Sequence, residues 1–155
     1  MVTARDLVDD FLAQRRIAVA GVSRDSRNPA NLIFRKLRDS GHDVFPINPR
    51  ATEVEGAACY PDLKSAPAPI YGVVIVTRPE STLQVVRQCS EVGIPRAWMH
   101  RSIGPGSVSD AAVAHCRDRG IGVIAGGCPM MYCDPVDVAH RCMRWVLGVM
   151  GRLPG

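Results

Sequence analysis

Ile17-Ala18-Val19-Ala20-Gly21-Val22-Ser23, with Asn28-Pro29-Ala30-Asn31 close behind, is the stretch on which the fold turns. Four apolar residues in unbroken succession do not read as a half-solvated strand, whose side chains would alternate. They read as a strand buried on both faces, the mark of a parallel sheet covered by helices. Gly21 ends the run. A polar segment, Ser23 to Asn28, then leads to Pro29, whose fixed φ suits the first turn of a helix. Strand, turn and helix in this order begin a βαβ unit.

Outward from this stretch the same alternation repeats. Upstream, Thr3 and Asp6 resemble a capping box for a short helix to about Gln14, with Leu7, Phe11 and Leu12 on one face. Downstream, the helix from Pro29 runs to about Ser40 on Leu32, Ile33, Phe34 and Leu37, and Gly41 stops it. Asp43-Val44-Phe45-Pro46-Ile47 is a second strand, Tyr71 to Val76 a third, Pro95 to Met99 a fourth and Ile121 to Ala125 a fifth. Helices are predicted over about Glu80–Val92, over Ser107–Arg119 with a second capping-box pattern at Ser107 and Asp110, and over Pro135–Met150. The sum is one α/β domain over residues 1–155: a Rossmann-like, doubly wound parallel sheet of five strands with flanking helices. Its core spans about 15–130 and a C-terminal helical extension covers 131–155. The expected strand order is 3-2-1-4-5, with right-handed crossovers.

Composition narrows the function. The chain has 155 residues, 46% of them hydrophobic, which supports one packed core and excludes disorder. The formal charge is +4, and 17 of the 19 basic residues are Arg, spread without a basic run. That mild excess suits an anionic small molecule. It does not suit nucleic acid, which would call for a basic stripe and aromatic stacking platforms. No apolar run is long enough for a membrane span. The acids Asp6, Asp9 and Asp10 near the start are foreign to a signal peptide. A cytoplasmic protein is therefore expected, with its six Cys as free thiols.

Ligands of doubly wound sheets bind beyond the carboxyl ends of the strands, at the switch point beside the first strand. Three segments fall there. In the first loop Gly21 permits a close approach, and the following helix offers unpaired N–H groups and a positive dipole end to phosphate. Val22 completes the turn. Ser23, Ser26 and Asn31 are potential donors, and Arg24 and Arg27 add charge; Asn28 and Pro29 open the helix. The loop has neither G-x-G-x-x-G nor the Gly-Lys-Ser/Thr ending of an ATP-hydrolysing loop. After the second strand, where an NAD site places an acid for the ribose hydroxyls, this chain has Asn48-Pro49-Arg50. Arg50 suits a phosphorylated ribose, so NADP or coenzyme A fits better than NAD. The third segment is Thr77-Arg78-Pro79.

In order and spacing these segments resemble the small stand-alone coenzyme-A-binding protein family, related in fold to the coenzyme-A domain of the succinyl-CoA synthetase α subunit. The matching pieces are the Ile17–Ser23 and Asn28–Asn31 stretches, Gly41-His42-Asp43-Val44-Phe45-Pro46-Ile47-Asn48-Pro49, Gly56…Tyr60-Pro61-Asp62-Leu63, and Val73-Val74-Ile75-Val76. Gly93-Ile94-Pro95-Arg96-Ala97-Trp98-Met99 and Gly122-Val123-Ile124-Ala125…Cys128-Pro129 complete them. The resemblance implies coenzyme A or an acyl-CoA lying across the strand ends. Its diphosphate would rest on Gly21-Val22-Ser23 and the helix after Pro29. Asn48, Pro49 and Arg50 would face the adenosine 3′-phosphate, and Thr77, Arg78 and Pro79 would line the ligand. Where the family has Gln after the Trp-containing strand, this chain has His100.

The function expected is a non-catalytic coenzyme-A-binding module. The alternatives are an NADP-dependent or acyl-CoA-transforming enzyme using His100 or Cys128, and a metal-binding interaction protein. The metal reading rests on Cys128, Cys133, His140 and Cys142. All four are zinc-ligand types, yet their spacing is that of no standard finger, and His140 and Cys142 are two apart on a helix. Met130-Met131-Tyr132 and the last helix, with Trp145, Leu147 and Met150, are read as core, a homodimer contact being the other use for them.

Overall fold

The computed structural model describes residues 1–154. The elements follow the expected alternation: α1 (Ala4–Leu12), β1 (Arg16–Ala20), α2 (Pro29–Asp39), β2 (Asp43–Ile47), the two-residue strands β3 (Glu53–Val54) and β4 (Ala57–Ala58), β5 (Gly72–Ile75), α3 (Pro79–Val92), β6 (Arg96–Met99), α4 (Asp110–Asp118), β7 (Gly122–Ala125), a 3₁₀ turn at Pro129–Met131, and α5 (Val138–Val149). The β3–β4 hairpin and the 3₁₀ turn were not expected from the sequence. The Thr3–Asp6 capping box forms as read. The second one does not. Ser109 caps α4, while Ser107 is buried and turned toward the β5–α3 loop.

The five long strands form one parallel sheet in the order β2-β1-β5-β6-β7. In terms of the five predicted strands this is 2-1-3-4-5, not 3-2-1-4-5. The physical reason lies in β2 and β5. Every residue of β5 is buried, so it needs neighbours on both edges. Pro46 in β2 has no N–H to give a neighbour, and the first three residues of β2 are only half-buried, which fits an edge strand. The outer side of β2 is covered by little more than the chain around Tyr60, whose N–H donates to Pro46 O at 3.0 Å.

Alternate residues of the central strands feed two cores, as a sheet buried on both faces requires. Ile17, Val19, Val74, Trp98 and Ile124 face α1, α2 and α5, where they meet Phe11, Ile33, Phe34 and Leu37. Ala18, Ala20, Val73, Ile75, Ala97 and Met99 face α3 and α4, where they meet Val86, Cys89 and Cys116. Trp98 is fully buried; its ring stands edge-on to Phe11 with centroids 5.4 Å apart, and its Nε1 donates to Gly126 O at 2.9 Å.

The C-terminal extension differs from the expectation of core. Leu147 and Met131 are buried, but Trp145 is 71% exposed, and Val138, Val146, Val149 and Met150 are exposed with it. α5 lays one narrow edge on the domain and leaves its apolar back bare.

Candidate functional site

All parallel strands end on one edge, and the order 2-1-3-4-5 puts the loop after β1 directly between the loops after β2 and β5. A cleft of about 860 Å³ opens there, within the usual size of a small-molecule site. Nine of the residues singled out in the sequence line it: Gly21, Val22, Ser23, Asn28, Asn48, Pro49, Arg50, Thr77 and Arg78. Arg24, Arg27, Pro29, Asn31, Pro79 and His100 do not.

The first loop is held from beneath. Gly21 has φ +102°, and a Cβ there would stand 2.1 Å from Val76 O, so only glycine lets the β1 and β5 ends come this close. Asn31 is 1% exposed, and its amide is wholly engaged. Oδ1 accepts from Ser23 N at 2.8 Å, while Nδ2 donates to Ser23 O at 2.7 Å and to Glu55 Oε1 at 3.0 Å. Asn31 is therefore no phosphate donor. It positions the loop that would be one. Glu55 is the second anchor, with φ +52° at the hairpin turn and Arg35 Nη1 at 2.8 Å.

The loop binds itself as well. Asn28 Oδ1 accepts from Ala30 N at 2.9 Å and caps α2, with Pro29 at its first position. Arg27 is paired with Asp25 at 3.1 Å on the outside, so its charge is spent on the loop rather than on the cleft. Arg24 Nη2 donates to Arg50 O at 2.7 Å and ties the first loop to the second. Asn48 Nδ2 donates to Val22 O at 2.7 Å, and its Oδ1 accepts from Arg50 N at 2.7 Å. The guanidinium groups of Arg50 and Arg78 have no hydrogen-bond or ion-pair partner among the described residues. Both residues line the cleft, as does Asn28 at the N-terminus of α2, so the cleft lining carries a positive charge excess.

The sequence reading missed the far wall. Pro61, Asp62 and Leu63 precede β5, and Ser81, Gln84, Val85 and Gln88 lie along α3. The α3 residues follow i, i+3, i+4, i+7 spacing, so one mainly polar stripe was visible in the sequence as a helix face aimed at the strand ends. Gln88 Oε1 accepts from Leu63 N at 3.1 Å and joins the two halves of this wall. Hydrogen bonds from the Ser65 side chain and backbone hold the Asp62 carboxyl below its usual range.

The candidates for catalysis and metal binding lie elsewhere. His100 follows β6; burial, and secondarily the charge of His140, pushes its ring down to about 4, so it is neutral at physiological pH. Cys128 is buried and its thiol is pushed up to about 11 by desolvation, a poor nucleophile. Cys133 donates to Ser40 Oγ at 3.2 Å, Cys142 is exposed, and His140 Nδ1 pairs with Asp137 at 2.7 Å. Among the described residues no three His, Cys, Asp or Glu side chains converge on a point that could hold a metal ion.

A parallel sheet whose β1 ends in a glycine turn leading to a helix N-terminus, with the β2, β1 and β5 ends around one cleft, defines the class: a Rossmann-like, nucleotide-binding type of domain. Residues 15–134 match the family described as "CoA binding domain", and the chain belongs to that family. It is 32% identical over 89 residues to the α subunit of an ADP-forming acetate–CoA ligase of Pyrococcus furiosus, a match covering 57% of this chain and 20% of that subunit. It is 27% identical over 130 residues to the uncharacterised Bacillus subtilis protein YneT, covering 84% of this chain and 88% of that one. A solved structure, a hypothetical protein from Pyrococcus horikoshii, superposes with a TM-score of 0.76 at 27% identity, over 83% of this chain and 88% of its own. The chain thus spans about a fifth of the ligase subunit but nearly the whole of the small proteins. Coenzyme A is the ligand of the family, and this chain is a coenzyme-A-binding module.

Proposed function

We propose that the cleft holds coenzyme A, free or as a thioester, without chemistry of its own, and that its three strand-end loops divide the ligand between them. The observation that carries this reading is the placing of Gly21, Arg50 and Arg78 on three adjacent strand ends around one cleft, with no acid at the end of β2. The Gly21-Val22-Ser23 turn and the N-terminus of α2 suit the diphosphate. Arg50 suits the 3′-phosphate, since a guanidinium free of protein partners can give a forked pair of charged hydrogen bonds. Leu63 and Val85 offer apolar faces, and Gln84 and Gln88 amide edges, to a purine.

Among the described residues no helix is long and apolar enough to cross a membrane. The reading places the protein in the cytoplasm, with a small molecule rather than nucleic acid as its partner. It includes a homodimer through the bare side of α5, which light scattering decides. The ligase activity of the longer relatives is not transferred.

Calorimetric titration with coenzyme A, dephospho-coenzyme A and NADP tests the assignment. Coenzyme A should bind in the micromolar range or tighter. Dephospho-coenzyme A should bind about tenfold or more weakly, and Arg50→Ala should erase that difference. Tighter binding of NADP than of coenzyme A would move the function to nicotinamide chemistry. An unchanged ratio in Arg50→Ala would remove Arg50 from the 3′-phosphate.

A further inference from the structure

The last helix carries a surface that the coenzyme-A cleft does not use. α5 turns Leu147 inward, where it is buried, with Met143 and Arg144 half-buried beside it. On the side opposite Leu147 stand Val138, Cys142, Trp145 and Val149, in steps of 4, 3 and 4 residues. Val138, Trp145 and Val149 are 73%, 71% and 72% exposed, and Cys142 is exposed with them. At 3.6 residues per turn these positions fall within about 60° of one another. The solvent side of a surface helix is ordinarily polar. Steps of 4, 3 and 4 are instead those of the seam along which two helices pack, each side chain entering a gap on the other.

The seam is its own complement. Read from either end its spacing is the same, with Val at both ends. Turned end for end about its midpoint, between Met143 and Arg144, it sets Val against Val and the large Trp145 against the small Cys142. The charges at the helix ends agree. Asp134 is exposed ahead of the N-terminus, without a hydrogen-bond or ion-pair partner among the described residues. Arg152, whose Nη2 donates to Gly104 O at 3.3 Å, follows the C-terminus. Antiparallel copies bring each Asp134 toward the partner's Arg152 and oppose the two helix dipoles. Parallel copies would set Asp beside Asp and Arg beside Arg.

We propose that the occupant of this face is α5 of a second copy of the chain, packed antiparallel about a two-fold axis at the middle of the helix. Val138 then faces the partner's Val149, and Cys142 faces the partner's Trp145. Such a contact is isologous and closes on itself, so it stops at a dimer. The inference rests on the homodimer reading, gives it a register, and is independent of the ligand, since α5 contributes no residue to the cleft lining.

Sedimentation velocity on the full chain tests the association. The 12 residues of α5 span about 18 Å, so the contact belongs to the small, weak class of interfaces. The chain should sediment as a monomer near about 1 μM and as a dimer above roughly 100 μM. Trp145→Asp and Val149→Asp, both at exposed positions, should stay monomeric at the higher concentration. Both should keep the wild-type coenzyme-A affinity and the wild-type urea midpoint measured on dilute protein. Cysteine pairing tests the register. In a Cys142→Ser background the remaining five Cys are buried. A mixture of Val138→Cys and Val149→Cys chains should give a disulfide-linked dimer on mild oxidation, and neither chain alone should, because like positions lie about 16 Å apart along the axis. A wild type that is monomeric at every concentration overturns this inference and the homodimer reading together. A dimer that survives both Asp variants overturns the inference alone, since the chain would then associate through another face. Cross-linking of Val138→Cys or Val149→Cys by itself overturns the antiparallel register.

Discussion

Replacing Asn31 by Ala separates a residue that touches the ligand from one that shapes the loop. Asn31 makes three side-chain hydrogen bonds from a position 1% exposed, two of them to the N–H and C=O of Ser23. Ala would leave both backbone groups of Ser23 unpaired, at about 1–3 kcal/mol for each group that stays dry. Ser23 is only half-buried, so water recovers part of this, and a loss of about 2–4 kcal/mol is expected against a total stability of about 5–15. In urea, at about 2 kcal/mol per molar, the midpoint should fall by roughly 1–2 M. Coenzyme-A affinity should fall about tenfold or more, because the turn must be ordered again on binding. Asn31→Asp keeps the acceptor for Ser23 N but loses both donations and sets a second carboxylate against Glu55; it should do no better. If Asn31→Ala lowered affinity with the urea midpoint unmoved, Asn31 would be a ligand donor and the loop-clamp argument would be wrong.

Gly21→Ala should be worse for folding than a surface glycine change, because the new Cβ meets Val76 O at 2.1 Å in a left-handed backbone. A urea midpoint close to wild type would show that the β1 and β5 ends are not so tightly apposed. His100 sets a pH dependence. Its ring titrates at about 4 in the folded chain, against 6.5 ordinarily. The unfolded chain therefore takes up the proton first. Stability is fully present above about pH 6.5 and declines as pH falls toward 4, by at most about 3 kcal/mol. His100→Gln should flatten the urea midpoint across that window, and an unchanged slope would put the effect elsewhere. Of the six cysteines only Cys142 is exposed. A thiol reagent should label one site quickly in the native protein and six after denaturation, and rapid labelling of more than one would contradict the burial of Cys128 and its fellows.

The fold was legible where the signal was local. Unbroken apolar runs at Ile17–Ala20 and Gly72–Ile75, each close to a turn signal, read as strands buried on both faces and are so in the structure, and Pro29 and Pro79 open helices because their φ is already set. Strand order is not local, and the expectation there was wrong. One residue held the correction: Pro46 cannot donate to an outer neighbour, so β2 belongs at an edge and the third strand must lie beside the first. The last helix was misread for a related reason. Val138, Trp145, Val146, Val149 and Met150 give it apolar residues on more than one side, and periodicity does not say which side the rest of the domain leaves uncovered.

At the site, sequence position found the strand-end loops because chain topology fixes where they lie, whatever their side chains do. It did not find what each side chain is for. Ser23, Asn31, Asn48 and Arg27 are the residue types that bind phosphate, and they are equally the types that bond the backbone of tight loops. In this structure Asn31, Asn48 and Arg27 spend their polar groups on the loops themselves. The guanidinium groups of Arg50 and Arg78, which line the same cleft, keep no such partner among the described residues. Partnership is a property of three-dimensional neighbours, so the unpaired cations could be told from the paired ones only once the loops were in place.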